Sequence, residues 1–301
     1  MKLTIFTPVY NRANLINNLY ESLTRQSNMD FIWMIVDDGS TDNIKQIVEQ
    51  YKKTSNFKIQ YIYQDNRGKH SAHNTGIANC STELFLCVDS DDYLTDDAVE
   101  KIYAINREYG LQEQSVLGYF FRKKDTKNQL SGGNFNLKNR LVGLREIYFK
   151  YGFNGELAIV FKTELIKDYH FPTYESEKFV SEKVFYNQIT NIAPMVYVDD
   201  AIYIFEYQQS GYTMNANSLL AKNPVGTAMG YLSDTIYGTK FIDRAKSYSS
   251  FIAMKQVFCI PNDQYDDYNI PFAIRCAGWI LKPHYIKIFK KINIRYNLEV
   301  I

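Results

Sequence analysis

The chain has 301 residues, and its formal net charge of +1 argues against a protein that binds nucleic acid through bulk charge. Hydrophobic residues make up 46%, which supports a sizeable core, and four scattered cysteines without a CxxC pair are typical of a reduced, cytosolic protein. The N-terminus turns polar too soon for a secretory signal, and no apolar run reaches the roughly 18 residues that span a bilayer.

The first part of the chain alternates between strand-like and helix-like segments. Such alternation predicts an α/β fold, with a mostly parallel sheet that is flanked by helices on both faces. We expect strands at 3–6, 31–36, 58–63 and 84–88, and helices at 14–24, 43–51, 68–77 and 96–109.

Beyond residue 110 the pattern loosens. We expect strands at 116–121 and 157–161, a final pair of strands at 195–198 and 201–207, and an irregular charged segment at 171–182. From about residue 217 the sequence is mostly helical. We therefore predict one domain at 1–215, with halves at 1–110 and 111–215, and a mainly helical C-terminal extension at 216–301.

Polar clusters follow the first four predicted strands, at 7–12, 37–40, 65–69 and 89–92. In parallel sheets, ligands bind beyond the carboxyl ends of the strands, so these clusters indicate one shared site. The last cluster places Asp89, Asp91 and Asp92 directly after an apolar strand. Like charges at this density need water or a cation, and a Mg2+ or Mn2+ ion bound to a diphosphate is one such cation. The alternative is an Asp-rich turn before the next helix.

The other clusters offer groups that suit a nucleotide. Tyr10 presents a flat face for a base, and Arg12 can meet phosphate oxygens in a planar fork. Arg67 and Lys69 supply positive charge for a diphosphate, and Gly68 lets the backbone come close to a ligand. The alternative for the first cluster is a strand-to-helix turn that Asn11 or Asn14 caps.

The second cluster begins with adjacent acids, Asp37 and Asp38. One carboxylate could accept a hydrogen bond from a nucleobase or a ribose hydroxyl, although a bare turn would also contain such residues. The chain has no GxGxxG and no GxxxxGK[ST] motif, so it lacks the usual phosphate loops. His70 and His73 are one helical turn apart, but no cluster supplies the further ligands of a zinc site.

In this order and spacing, the motifs resemble those of family 2 glycosyltransferases of the bacterial cell-surface polysaccharide type. They are Thr-Pro-Val-Tyr-Asn-Arg, Val-Asp-Asp-Gly-Ser-Thr-Asp, Asn-Arg-Gly-Lys with Asn-Thr-Gly, and Val-Asp-Ser-Asp-Asp, all within about residues 1 to 110. The resemblance implies the Rossmann-like GT-A fold, with a nucleotide-binding half at 1–110 and an acceptor-binding half at 111–215. It also implies a nucleotide-sugar donor, usually UDP-linked, and a divalent metal, Mn2+ or Mg2+, held by Asp89-Ser90-Asp91.

The resemblance also assigns roles. Asp91 is expected to bind the metal directly. Asp89 is the second candidate for the metal, but it is expected rather to contact the ribose or the sugar. Asp38 is expected to contact uracil. The set expected to bind the nucleotide-sugar is Thr7, Pro8, Tyr10, Arg12, Asp37, Asp38, Arg67, Gly68, Lys69, Asn74, Asp89 and Ser90.

The acceptor hydroxyl must lose a proton, so a carboxylate base is needed. Bacterial members with a Glu-Lys-Phe-x-x-Glu pattern resemble the segment 177–182, which makes Glu182 the expected catalytic base and Glu177 the second choice. Members of the family usually have an Asp directly after this Glu, whereas Lys183 follows Glu182 in this chain. The alternative is a solvated charged loop in which Ser181 caps a helix.

We therefore expect an inverting glycosyltransferase that moves a sugar from a UDP-sugar to a glycan or lipid-linked acceptor on the cytosolic side, in capsule, exopolysaccharide, teichoic-acid or lipopolysaccharide assembly. The rivals are a degenerate sugar-nucleotide-binding protein and a nucleotidyltransferase. A nucleotidyltransferase generally has a Gly-rich loop after the first strand, and residues 7–12 contain no glycine. Residues 277–292 mix apolar and basic side chains, so the C-terminal region is a candidate for a peripheral membrane or oligomer contact. The alternative is an ordinary helix packed on its domain.

Overall fold

The computed structural model describes residues 2–110, 115–137, 141–206, 216–262, 265 and 268–297. Backbone contacts divide the chain into two compact units. The first comprises 1–170 and 189–208, and the second comprises 171–188 and 209–301. The segment 171–188 therefore groups with the C-terminal helices, and the division at residue 215 stays a prediction.

In the residues that the structure describes, the first unit is built on a nine-stranded mixed sheet. Its strands are β1 (Leu3–Val9), β2 (Phe31–Asp38), β3 (Lys58–Gln64), β4 (Leu84–Cys87), β5 (Tyr93–Leu94), β6 (Gly118–Asp125), β7 (Leu141–Val142), β8 (Leu157–Lys162) and β9 (Met195–Phe205).

The strand order is β3-β2-β1-β4-β8-β6-β9-β5, with β7 also paired to β9. The first four strands are mutually parallel, and β8 runs antiparallel to both of its neighbours. All eight residues of β2 are buried, as expected for a strand that is covered on both faces. The predicted α/β fold with a mostly parallel core is confirmed.

The helices of the first unit include those that connect the parallel strands. They are α1 (Ile16–Thr24), α2 (Ile44–Thr54), α3 (Lys69–Ala78), α4 (Ala98–Gly110), α5 (Glu146–Phe149) and α6 (Thr163–Ile166). The helix predicted at 14–24 begins at Ile16, and its Leu19 and Leu23 are buried in the sheet core.

The predicted final pair of strands is wrong in the described residues, where β9 is continuous from Met195 to Phe205; Tyr207 lies outside them. Asp199 and Asp200 look like a turn in the sequence, but they lie where the register with β6 shifts. The Asp199 carboxylate accepts a hydrogen bond at 2.9 Å from the guanidinium of Arg122, which is fully buried. The bulge therefore accommodates two exposed acids without ending the strand, and the ion pair holds Asp199.

The second unit is helical, as predicted for the C-terminal region. Its helices are α7 (Lys183–Ile189), whose last residue groups with the first unit, and α8 (Ala216–Lys222), α9 (Pro224–Tyr237), α10 (Phe241–Val257) and α11 (Phe272–Asn297). Ala228, Leu232, Phe251, Met254 and Phe289 form its buried core. Among the described residues, no helix is long and apolar enough to cross a membrane.

Gly118 lies where β6 pairs with β8, and a β-carbon there would clash with the carbonyl oxygen of Val160. We expect Gly118→Ala to lower the free energy of unfolding by about 1–3 kcal/mol, the usual cost of overpacking. Urea unfolding followed by circular dichroism measures this change. Gly143→Ala is the matched control, because the nearest atoms to its added β-carbon belong to the flexible side chain of Glu146. Equal effects of the two substitutions would contradict this account of the β6–β8 contact.

Candidate active site

The loops after β1 and β2 are joined to each other by hydrogen bonds. The backbone N–H of Asn11 donates to the Ser40 hydroxyl at 2.9 Å, and the Asn11 side-chain oxygen accepts from the Thr41 N–H at 2.8 Å. The Asp42 carboxylate accepts from the Ala13 N–H at 2.9 Å. Asn11 has a φ of +52°, a left-handed conformation that asparagine tolerates better than most residues. Asn11 therefore joins two loops, and α1 has no side-chain hydrogen bond at its N-cap.

The residues predicted from the first motif differ in what they contact. Thr7 is buried, and its hydroxyl accepts a hydrogen bond from the indole N–H of Trp33 at 3.0 Å. Pro8 lies inside β1, opposite Val36 of β2. Tyr10 is 48% exposed, so its ring is available to a base.

Asp37 and Asp38 are buried at the end of β2, where each holds a loop. The Asp38 carboxylate accepts the backbone N–H groups of Arg67 at 2.9 Å and Gly68 at 2.7 Å, and the Gln64 amide at 2.7 Å. Asp38 therefore fixes the loop between β3 and α3. The Asp37 carboxylate accepts the N–H of Ser40 and the hydroxyl of Tyr61. The expected contact between Asp38 and uracil stays a prediction.

The loop after β3 brings a cation to the acids after β4. Gly68 has a φ of +93° and directly precedes α3, which starts at Lys69. The Lys69 ammonium forms an ion pair with Asp89 at 2.8 Å, while Arg67 is exposed. Asn74 is half-buried further along α3. Burial lowers the pKa of His70 to about 4, so this imidazole is neutral at pH 7 and adds no charge for phosphate.

The acids after β4 are tied to a tyrosine of β9. The backbone N–H of Asp89 donates to the Tyr203 hydroxyl at 3.1 Å, and that hydroxyl donates to the Asp92 carboxylate at 2.8 Å. Asp92 also accepts the N–H of Glu206 at 3.1 Å. Asp92 therefore anchors the turn to β9. Ser90, which follows Asp89 in the sequence, is buried.

The charges of the three acids differ because their neighbours differ. Burial favours a higher pKa for Asp89, but the charges of Lys69 and Lys123 outweigh it and hold that pKa below its usual value. Burial and then repulsion from Asp89 raise the pKa of Asp91, although Arg12 opposes this shift. The same two causes raise the pKa of Asp92 to about 7.

The donor set at this edge fits a divalent cation. Asp91 is half-exposed and has no ion pair with any cation among the described residues, in contrast to Asp89. A hard cation such as Mg2+ or Mn2+ would relieve the repulsion between these two carboxylates. Within the described part of the chain, no group of three or more His, Cys, Asp and Glu side chains could hold a metal. The predicted pair, Asp91 and Asp89, would thus take further ligands from a bound diphosphate or water.

Sequence reasoning missed two residues of this site, Lys123 and Tyr203. The Lys123 ammonium lies 4.0 Å from the centre of the Tyr203 ring, and its charge acts on both Asp89 and Asp92. Lys123 lies near the end of β6, beyond the predicted strand at 116–121. The only signal in the sequence is a polar run, Arg122-Lys123-Lys124-Asp125, after an apolar strand.

The segment with the predicted base belongs to the second unit. Glu182 is exposed, and its backbone carbonyl accepts the N–H groups of Phe185 and Tyr186 at the start of α7. Glu177, the second choice, is buried, and its carboxylate accepts the N–H groups of Val225 and Gly226, both at 2.7 Å. Glu177 therefore caps the N-terminus of α9, which favours Glu182 for the chemical role.

Lys183 occupies the position where the family usually has Asp. Its ammonium forms an ion pair with Asp234 of α9 at 2.7 Å and lies 4.9 Å from the centre of the Tyr231 ring. The lysine therefore joins α7 to α9. The departure from the family pattern has a structural reason within the second unit.

We expect Asp38→Asn to lower the free energy of unfolding by about 1–3 kcal/mol, because one of the three donors to Asp38 would then face an amide N–H. Asp37→Asn is the matched control, since its new amide can donate to the Tyr61 hydroxyl and its oxygen can still accept from Ser40. Urea unfolding compares the variants, and hydrogen exchange at the Gly68 amide reports on the loop. An Asp37→Asn variant that loses more stability than Asp38→Asn would contradict the assigned contacts.

Comparison with known proteins places this arrangement in a family. The sequence profile of glycosyl transferase family 2 matches residues 4–169. Glycosyltransferase GlyG of Streptococcus pneumoniae is 21% identical over 85% of this chain and 90% of its own length. GlyA of the same organism is 30% identical over 48% of this chain, and TarS of Staphylococcus aureus is 32% identical over 36%. The matched parts are about a fifth of the length of GlyA and TarS, at 22% and 19%.

Solved structures show the same fold. The S. aureus TarS fragment 1–349 in complex with UDP-GlcNAc aligns with a TM-score of 0.61 at 18% identity, covering 99% of this chain and 92% of that chain. The mannosyltransferase of Pyrobaculum calidifontis in complex with GDP-Man and Mn2+ aligns with a TM-score of 0.55 at 15% identity, covering 99% of this chain and 84% of its own. The profile match spans more than half of the chain, and the chain belongs to glycosyl transferase family 2, with the GT-A fold.

Proposed function

We propose that this chain is an inverting glycosyltransferase that moves a sugar from a UDP-sugar to a glycan or lipid-linked acceptor in cell-surface polysaccharide synthesis. The observation that carries the proposal is the acid–cation cluster after β4, where Asp91 lies beside the Asp89–Lys69 ion pair. The relatives support the choice of substrates, because TarS is a poly(ribitol-phosphate) β-N-acetylglucosaminyltransferase and its fragment binds UDP-GlcNAc. The four free cysteines suit a cytoplasmic location.

In the proposed reaction, the acceptor hydroxyl oxygen bonds to the anomeric carbon as the bond from that carbon to the diphosphate oxygen breaks. The acceptor proton passes to the Glu182 carboxylate, and UDP leaves with the bonding electrons. Attack opposite the leaving group inverts the anomeric centre. This role for Glu182 rests on its exposed side chain and on the Glu-Lys-Phe-x-x-Glu pattern.

The leaving diphosphate gains negative charge as the bond breaks. Lys69 lies in the acid cluster and Arg12 acts on it through its charge, and the exposed Arg67 follows β3, so these three cations are suited to stabilise the diphosphate. Asp91, with Asp89, would hold Mn2+ or Mg2+, and such a cation would neutralise phosphate charge when bound. A relative in the same fold class, the P. calidifontis mannosyltransferase, was solved with Mn2+.

We expect Asp91→Asn to slow the release of UDP from a UDP-sugar with Mn2+ by roughly 100-fold or more, because the proposed metal ligand loses its charge. The measurement is a coupled assay for UDP over a panel of UDP-sugars. Asp96→Asn is the matched control, since this nearby acid is 61% exposed and pairs with Arg25. Binding of UDP-sugar by the wild type without turnover would favour the rival, a degenerate binding protein.

A separate prediction concerns the base. We expect Glu182→Gln to lower turnover by about 10^2- to 10^4-fold, the usual contribution of a general base, and to leave UDP affinity unchanged. Glu175→Gln, at another exposed acid of the same segment, should leave both unchanged. Turnover assays with parallel UDP titrations separate the two effects. A Glu182→Gln variant with wild-type turnover would remove Glu182 from the mechanism.

A further inference from the structure

The longest helix of the second unit, α11, is strongly basic. Its 26 residues include no Asp or Glu, and its basic residues are Arg275, Lys282, Lys287, Lys290, Lys291 and Arg295. None of the six forms an ion pair with an acid in the part of the chain that the structure describes. Their charge is therefore not neutralised by the described residues around the helix.

The near-neutral net charge of the chain conceals this concentration. Of 34 basic and 33 acidic residues, six basic residues and one acid fall in 268–301. This leaves 28 basic and 32 acidic residues in 1–267. The C-terminal segment is thus cationic, and the rest of the chain is anionic, which favours oriented binding to an anionic partner.

The first half of α11 also exposes large apolar side chains. Phe272 is 76% exposed, Trp279 58% and Ile280 79%. Their spacing of i, i+7 and i+8 puts them on one face, while Ile274 and Phe289 are buried. Exposed side chains of this size, gathered on one helix face, indicate a surface that another apolar phase covers.

The second half of the same face is cationic. Lys290 and Lys291 follow Trp279 and Ile280 by eleven residues, which is about three helical turns. Lys287, Lys290 and Lys291 are all exposed. The face therefore carries apolar side chains at one end and ammonium groups at the other, along one helix.

We propose that this face of α11 binds peripherally to an anionic lipid bilayer. Interfacial helices combine aromatic and aliphatic side chains, which enter the acyl boundary, with Lys and Arg, which meet anionic headgroups. Lys282 suits that position, because its ammonium lies 4.1 Å from the centre of the Trp279 ring and an aromatic–lysine pair of this kind is typical of the headgroup level. The basic residues of α11 suit a helix that lies on the bilayer surface.

The chain contains its own probe for this proposal. It has two tryptophans, and Trp33 is fully buried in the sheet core while Trp279 is exposed on α11. A change in tryptophan emission on adding vesicles therefore reports on Trp279. This test needs no nucleotide or acceptor, so its result is independent of the proposed glycosyl transfer.

The experiment mixes the full chain with vesicles of phosphatidylcholine alone, or of phosphatidylcholine with about 30% phosphatidylglycerol, and records tryptophan emission and co-sedimentation. We expect a blue shift and co-sedimentation only with the anionic vesicles, and loss of both in high salt. Lys287→Gln/Lys290→Gln/Lys291→Gln should weaken binding by at least about tenfold. The matched control is Lys45→Gln/Lys53→Gln/Lys58→Gln, three exposed lysines of the first unit, which should bind as the wild type does.

Three outcomes would overturn the proposal. The first is no blue shift with anionic vesicles, and the second is equal binding of the two lysine variants. The third is a blue shift that depends on protein concentration without vesicles, together with a dimer in light scattering that Trp279→Ser dissociates. That result would assign the face to a second copy of the chain.

Discussion

The site depends on how several acids are held close together at one edge of the sheet. Asp37 and Asp38 end β2, and Asp89 and Asp92 follow β4. Only β1 separates these two strands in the parallel part of the sheet, so the repulsion between the acids must be offset locally. Each has defined donors: backbone amides for Asp38, Tyr61 and Ser40 for Asp37, Lys69 for Asp89, and Tyr203 for Asp92. Apart from Ser40, these donors lie in other segments, namely β3, the loop after it, α3 and β9. Offsetting the charge therefore also fixes these segments around the acids.

Asp91 differs from these four acids. Its pKa is raised by burial and by Asp89, and among the described residues no cation pairs with it. A carboxylate in this position favours the arrival of a positive charge from outside the protein. The acids that build the site have donors within the protein, whereas Asp91, the acid proposed to act on a ligand, has no cation partner among the described residues.

The local part of this arrangement could be predicted from the sequence, because parallel strands bring their carboxyl ends to one edge. Asp38 and Asp89 were placed correctly at strand ends on that basis, whereas Thr7 and Pro8, expected after the first strand, lie inside β1. Lys123 and Tyr203 were not found, since β6 and β9 reach the site through pairings with strands that are distant in sequence. Asp199 and Asp200 misled the prediction because a bulge accommodates both acids inside β9 and the buried Arg122 pairs with Asp199. Hydrophobic periodicity carries no signal for such long-range compensation.

We propose above that this sheet edge binds a nucleotide diphosphate together with a divalent metal. Titration calorimetry of the full chain with UDP, once in Mn2+ and once in EDTA, tests this proposal. We expect saturable binding of UDP in Mn2+ and much weaker binding in EDTA. Absence of measurable binding for both UDP and GDP under both conditions would contradict it.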